Sequence, residues 1–143
     1  MTGGDPVPAE LARRRWPEVG DPVLAVPVGA TEQHGPHLPL DTDTTIAVEL
    51  CRRLAAGHDG VAVTPPVAFG SSGEHAAFPG TLSIGAPALE LLLVELVRSA
   101  DHFPAVVLVN AHGGNLAPLT AAARTLRSEG RRVLAWSPRG RPD

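Results

Sequence analysis

An α/β fold organised around a mainly parallel sheet is the class this sequence predicts, and three observations predict it. Short apolar runs alternate with longer stretches whose apolar residues recur at helical spacing. Glycine or proline closes most of these segments. The polar, glycine-rich clusters follow the apolar runs. Strand–helix–strand alternation implies crossover connections, with helices on both faces of the sheet. Ligands of such sheets bind beyond the carboxyl ends of the strands, where these clusters would gather.

Val23–Val28 is an apolar run stopped by Gly29, the pattern of a strand buried on both faces. Residues 43–56 carry Ile46, Ala47, Leu50 and Leu54 on one helical face, with Gly57 at the C-terminal stop. Residues 60–64 form the second strand, ended by Pro65 and Pro66, which cannot donate to a ladder. A Gly-, Ser- and Pro-rich loop follows to about Gly85. Residues 87–102 predict a helix with Leu89, Leu92, Leu93, Leu96 and Ala100 on one stripe, widened nearly all round by Leu91, Val94 and Val97. Its apolarity suggests burial on two sides, the second against another subunit. Residues 105–109 are the third strand, 116–129 a helix with Asn115 as N-cap and Gly130 as stop, and 132–136 the fourth strand. No repeat or linker divides the 143 residues, which are expected to form one domain behind a lead-in over 1–20.

A net charge of -3 gives no electrostatic case for nucleic acid or an anionic membrane as partner. All 12 basic residues are arginine. Cys51 is the sole cysteine, which excludes an intrachain disulfide and a cysteine zinc site. Its thiol reads as inert helix packing. Residues 89–97 are too short to span a bilayer, and the N-terminus lacks an apolar signal core. A cytoplasmic protein is the expectation.

Three clusters carry chemistry. In the first, Glu32 and His34 stand two apart in an extended segment and can converge on one point, while Asp43 arrives at a helix start. Two carboxylates and an imidazole suit zinc, iron(II) or manganese(II), although a polar loop with a capping Asp has the same letters. In the second, Asn110-Ala111-His112-Gly113-Gly114-Asn115 leaves a strand and opens a helix, and its glycines allow close approach of metal or substrate. A phosphate cradle is the rival reading, without a Walker or Rossmann glycine spacing or any Lys to support it. The third is Gly70-Ser71-Ser72-Gly73-Glu74-His75 with Phe78-Pro79-Gly80-Thr81, where Glu74 and His75 are candidate proton carriers, outer partners or surface residues. His58 and His102, at helix ends, read as surface groups.

Together PVGATEQHGPHLPLDTDT (27–44), SGEHAAFPGTLSIG (72–85) and VNAHGGN (109–115) resemble the creatininase (creatinine amidohydrolase) family, with agreement from about residue 22 to 135. The SGEH and FPGTLSIG pieces, with VELVRSA (94–100) and LRSEGR (126–131), look like its mycofactocin-system members. Those are peptidases that trim a modified C-terminal dipeptide from a ribosomally made precursor. The resemblance implies a three-layer αβα fold, hexameric assembly and up to two divalent metals per subunit. It implies Glu32, Asp43 and His112 as ligands of one metal, and His34 with a bridging Asp43 as ligands of the second. It puts His37 and Glu74 at the pocket wall; independently, the amides of Gly113 and Gly114 and the side chain of Asn115, at a helix start, are expected to hold an anionic group such as a substrate's C-terminal carboxylate.

Two departures stand out. Asn-Gly-His of the family reads Asn110-Ala111-His112, and the family's later His/Glu segment, which completes the second metal, has no counterpart in these residues. The ligating carboxylate that creatininase itself carries two residues after the matching histidine is here Gly114. The expected function is metal-dependent hydrolysis of a peptide or small amide, with Glu74 or His75 delivering a proton. A small cyclic-amide hydrolase and an inactive metal-binding fragment are the alternatives.

Overall fold

The computed structural model describes residues 7–139, and the first few residues of the lead-in lie outside it. Four strands form one sheet in the order β2-β1-β3-β4: β1 Val23–Val28, β2 Val61–Val63, β3 Val106–Asn110 and β4 Val133–Trp136. All three strand pairs are parallel. Helix α1 (Thr42–Gly57) joins β1 to β2, α2 (Ala86–Arg98) joins β2 to β3, and α3 (Leu116–Ser128) joins β3 to β4. The chain leaves β1 toward β2, then returns to add β3 on the other side of β1. The carboxyl ends of β1 and β3 therefore flank the switch point of the sheet, the position such folds use for ligands.

Strand alternation divides the core. Leu24, Val26 and Val28 of β1 point with Val106 and Leu108 of β3 toward α2 and α3, meeting Leu89, Leu93, Val97, Leu119, Ala122 and Leu126. Ala25, Val63 and Val109 point the other way, toward Cys51, Leu50 and Leu54 of α1. The result is the expected three-layer αβα arrangement, with α1 alone on one face. Under that single helix β4 is incompletely covered, leaving Leu134 53% and Trp136 45% exposed. Burial pushes the Cys51 thiol up to about 12, far too high for a thiolate nucleophile at neutral pH.

Helix α2 stops at Arg98, four residues before the predicted end. Ser99 donates its hydroxyl to the Leu96 carbonyl at 2.6 Å, and the backbone tightens into turns at Ala100 and Phe103 ahead of Pro104. Leu89, Leu93, Val94 and Val97 are buried, whereas Leu91 stays 61% exposed and Leu92 and Leu96 lie partly in solvent. Among the described residues no helix is long and apolar enough to cross a membrane.

Two long loops are tied to the sheet. Ala9 accepts from Val63 N–H at 2.9 Å, so the lead-in runs beside β2. The loop after β2 bridges β1 at Val28–Val67 and meets Thr31 at Leu82. Gly29 sets how closely the start of α1 approaches the end of β1. A Cβ built there would lie 2.5 Å from the Thr44 Cα and 2.7 Å from its amide nitrogen, both backbone atoms that cannot yield without moving the helix. Thr44 reinforces the contact by donating to the Ala30 carbonyl at 3.1 Å.

Gly29→Ala is therefore expected to cost about 1–3 kcal/mol, the usual range for overpacking. Urea denaturation of the metal-free protein measures it, and a midpoint equal to that of the unsubstituted chain would contradict the tight contact.

Candidate metal centre

The ends of β1 and β3 and the start of α1 deliver the parts of a buried polar cluster. The segment after β1 brings Glu32 and His34, the first turn of α1 brings Asp43, and the turn after β3 brings His112. Glu32, Asp43 and His112 are nearly inaccessible, and each offers a ligand atom lying within 4.8 Å of the others. His112 Nδ1 is 3.1 Å from Glu32 Oε1 and 3.1 Å from Asp43 Oδ2. His34 Nε2 is 2.9 Å from Asp43 Oδ1 and 3.8 Å from Glu32 Oε1. Asp43 thus turns one oxygen to each imidazole.

Proton placement on these rings decides what the cluster can do. His112 Nε2 lies 2.9 Å from the Ser71 carbonyl, and His34 Nδ1 lies 3.2 Å from the Glu32 carbonyl. Carbonyls and carboxylates only accept, so each ring stands between acceptors and, while neutral, has one N–H to offer them. With that N–H on the backbone side, the other nitrogen presents a lone pair to the carboxylate oxygens. Either both rings carry a second proton or cations stand between the acceptors. The buried Glu32 Oε2 and Asp43 Oδ2 find no well-aligned hydrogen-bond donor. A donor set of two carboxylates and two imidazoles, each anchored on its far nitrogen, fits a divalent metal.

Titration of the metal-free cluster follows from the same contacts. Burial works to raise the Asp43 carboxyl, but the adjoining His112 and His34 imidazoles outweigh it and hold the group below its ordinary value of 3.8. Burial works to lower His112, but Asp43, the Ser71 carbonyl and Glu32 outweigh it and hold the imidazole above 6.5.

The turn after β3 is built to aim His112. Asn110 Oδ1 accepts from the His112 N–H at 3.2 Å while its Nδ2 donates to the His112 carbonyl at 2.9 Å. Gly114 packs against this ring: an added Cβ would strike the Ser71 carbonyl and come 2.5 Å from His112 Nε2. A side chain at 114 would thus break the bond that fixes the tautomer. Ala111 fits without strain, since no non-glycine residue among those described has positive φ.

Asn115 differs from expectation. It occupies the N-cap position, but its side chain makes no cap hydrogen bond. Fully buried, it donates to the Gly29 carbonyl at 2.9 Å and to Asn110 Oδ1 at 3.1 Å, and accepts from Ser71 N–H at 2.9 Å. Both amide hydrogens are committed to the protein, so a substrate carboxylate finds none free there. Its role is to lock three strand-end loops together.

The remaining candidates lie further out. Gly113 has nothing within 4 Å of a built Cβ and leaves open space beside His112. His75 Nε2 is 3.7 Å from Glu32 Oε2, and the Glu74 side chain, 62% exposed, reaches within 3.9 Å of His75. His37 is exposed beyond the Gly35-Pro36 turn, and among the described residues no hydrogen bond or ion pair ties it to the cluster. Sequence reasoning missed Ser71, whose contribution is a carbonyl and leaves no side-chain signature. It also missed Gln33, which stands between Glu32 and His34 and contacts His75 at 2.9 Å.

Comparison with known proteins gives concordant findings. The family model for creatininase, described as creatinine amidohydrolase, matches residues 10–141. A mycofactocin precursor peptide peptidase of Mycolicibacterium smegmatis is 55% identical over 129 residues, covering 85% of this chain and 51% of the relative. A creatinine amidohydrolase of Pseudomonas putida is 35% identical over 103 residues, covering 67% of this chain and 39% of the relative. The chain spans about half the length of the curated peptidases it matches. A mutant creatininase structure superposes with TM-score 0.79 at 30% identity, over 90% of this chain and 58% of the other. Further similar structures are described as a Mn creatininase and a Zn-Zn type mutant.

Asp43 stabilises the metal-free fold above 3.8 and loses that contribution as pH falls through its lowered value, whereas His112 contributes below 6.5 and loses it as pH rises through its raised value. Chelator-treated protein should therefore be most stable between pH 3.8 and 6.5 as far as this pair is concerned. Thermal denaturation across pH should show an alkaline decline that His112→Gln removes. An identical decline in that variant would assign it to other groups.

Proposed function

Because the chain belongs to the creatininase family, we propose that it supplies the metal-holding half of a divalent-metal amidohydrolase acting on a peptide. Its substrate is read as a ribosomal precursor of the mycofactocin type, from which a modified C-terminal dipeptide is released. The observation that carries this reading is that His112 and His34 each stand between a backbone carbonyl and a buried carboxylate. A cation on the carboxylate side lets each ring keep its one N–H on the carbonyl. Preference for a peptide over a small cyclic amide rests on the stronger likeness to the peptidase relatives.

Glu32, Asp43 and His112 would hold the first cation; His34, sharing Asp43, would contribute to a second. Bound there, divalent metal would polarise an amide carbonyl and activate water near neutral pH. Charge balance separates the two positions. Two carboxylates neutralise two imidazolium protons or one divalent cation, so the first cation exchanges for protons without leaving net charge. A second would leave excess positive charge in a buried site, which requires further anionic ligands. Gly114 is closed to a side chain and supplies none. The chain's own groups do the rest. Asn110 and Ser71 hold His112 in register, the open surface at Gly113 admits substrate backbone, and the exposed Glu74 carboxylate carries a proton to the leaving nitrogen. The exposed leucines of α2 are read as a contact between copies of the chain, in a cytoplasmic enzyme.

The test combines metal binding with product analysis. The purified chain should bind one zinc, iron(II) or manganese(II) ion tightly. Replacing a ligand, as in His112→Gln or Asp43→Asn, should weaken binding by more than the roughly 10–100-fold typical of an outer partner. Mass spectrometry of the modified precursor peptide should show dipeptide release when metal and the remaining half of a relative's chain are both supplied. Release at the same rate with excess chelator would refute the reading.

A further inference from the structure

Gln33, His75 and Glu32 form a series of contacts in which each proton is fixed by the preceding one. The series begins at a backbone group: Gly35 N–H donates to Gln33 Oε1 at 2.8 Å. A backbone amide N–H cannot accept, so the Gln33 oxygen must face it, and the Gln33 nitrogen must face the other way. That nitrogen lies 2.9 Å from His75 Nδ1. An amide nitrogen only donates, which makes His75 Nδ1 the acceptor and puts the neutral ring's proton on Nε2. Nε2 in turn stands 3.7 Å from Glu32 Oε2, a buried oxygen with no hydrogen-bond partner. Glu32 Oε1, meanwhile, faces His112 Nδ1 at 3.1 Å.

We infer that Gln33 sets the tautomer of His75, and that His75 is thereby a positioning residue holding Glu32 with Oε1 turned into the metal cluster. Three histidines surround the two carboxylates, and they divide by proton placement. With cations bound, His34 and His112 would direct lone pairs inward, whereas the His75 Nε2–H faces the buried Glu32 Oε2 at 3.7 Å, with the exposed Glu74 Oε1 at 3.9 Å as the competing acceptor. A ring so constrained is neither a ligand nor a base toward Glu32. The separation of 3.7 Å leaves a short movement, or a bridging water, to complete the bond. Outer partners of this kind fix the orientation of a ligating carboxylate. Within the triplet Glu32-Gln33-His34, the outer two residues then face the metal cluster and the middle one fixes a proton outside it.

This inference rests on the reading of Glu32 as a metal ligand, and the test separates the two. Long-range proton–nitrogen NMR on the metal-free chain, at a pH where the ring is neutral, should find the His75 proton on Nε2. Gln33→Met, similar in length but without a donor, should release that preference into a mixture of tautomers. Zinc affinity, measured by competition with a chromophoric chelator, should fall about 10–100-fold in His75→Phe. His75→Gln, which keeps an N–H near the position of Nε2, should recover most of that loss, and the visible spectrum of bound cobalt(II) should shift in His75→Phe alone. Circular dichroism checks that each variant folds. The inference is overturned if His75 carries its proton on Nδ1, or if folded His75→Phe binds zinc as tightly as the unsubstituted chain. Failure of the unsubstituted chain to bind zinc would instead remove the ligand reading, with the Gln33–His75 tautomer still read directly.

Discussion

Glu32 and Asp43 are buried side by side, and two like charges at the 4.8 Å limit of their ligand atoms repel by roughly 3–4 kcal/mol at an effective dielectric near 20. A neutral imidazole brings no charge to offset this, and each of the two rings also faces a backbone carbonyl that competes for its one N–H. Positive charge entering the cluster, as extra protons or as a divalent ion, relieves the repulsion. Much of the surrounding structure keeps these acceptors together against that repulsion. A flexible loop would let them separate into water.

Close backbone approach supplies the rigidity. Gly29 lets the start of α1 press on the end of β1, which brings Asp43 to Glu32. At Gly70 a built Cβ would lie 2.5 Å from Asn115 Oδ1 and 2.7 Å from the Gly29 carbonyl, so the loop after β2 sits against both. Gly114 leaves room for the Ser71 carbonyl beside His112. Asn115, with its hydrogen bonds to Gly29, Ser71 and Asn110, ties the three segments into one unit. The parallel sheet contributes the common edge from which all three depart. Fold and site are linked through the ends of β1 and β3, where the strand order reverses.

Most of the architecture was legible in the residues because it is written in side chains. Apolar periodicity and Gly/Pro punctuation located four strands and three helices, with ends within a few residues except at α2. There a serine hydroxyl competed for a helix carbonyl, a local choice that periodicity does not register. Glu32, His34, Asp43 and His112 were legible as a candidate set from residue chemistry and resemblance. Their proton placement was not, since it depends on the carbonyls of Ser71 and Glu32, and a carbonyl leaves no mark in a sequence. Asn115 illustrates the converse. Its position before α3 reads as a helix cap, yet tertiary partners claim its amide. Gln33 carries no signal of its own in the sequence, since its partners Gly35 and His75 come together only in the fold.

The first cation position turns on where the His112 imidazole keeps its proton, which nitrogen-15 NMR of the zinc-loaded chain reads directly. His112 should keep its proton on Nε2, facing the Ser71 carbonyl, with Nδ1 bare toward the ion. Finding His112 protonated on Nδ1 in the presence of saturating zinc would contradict this placement.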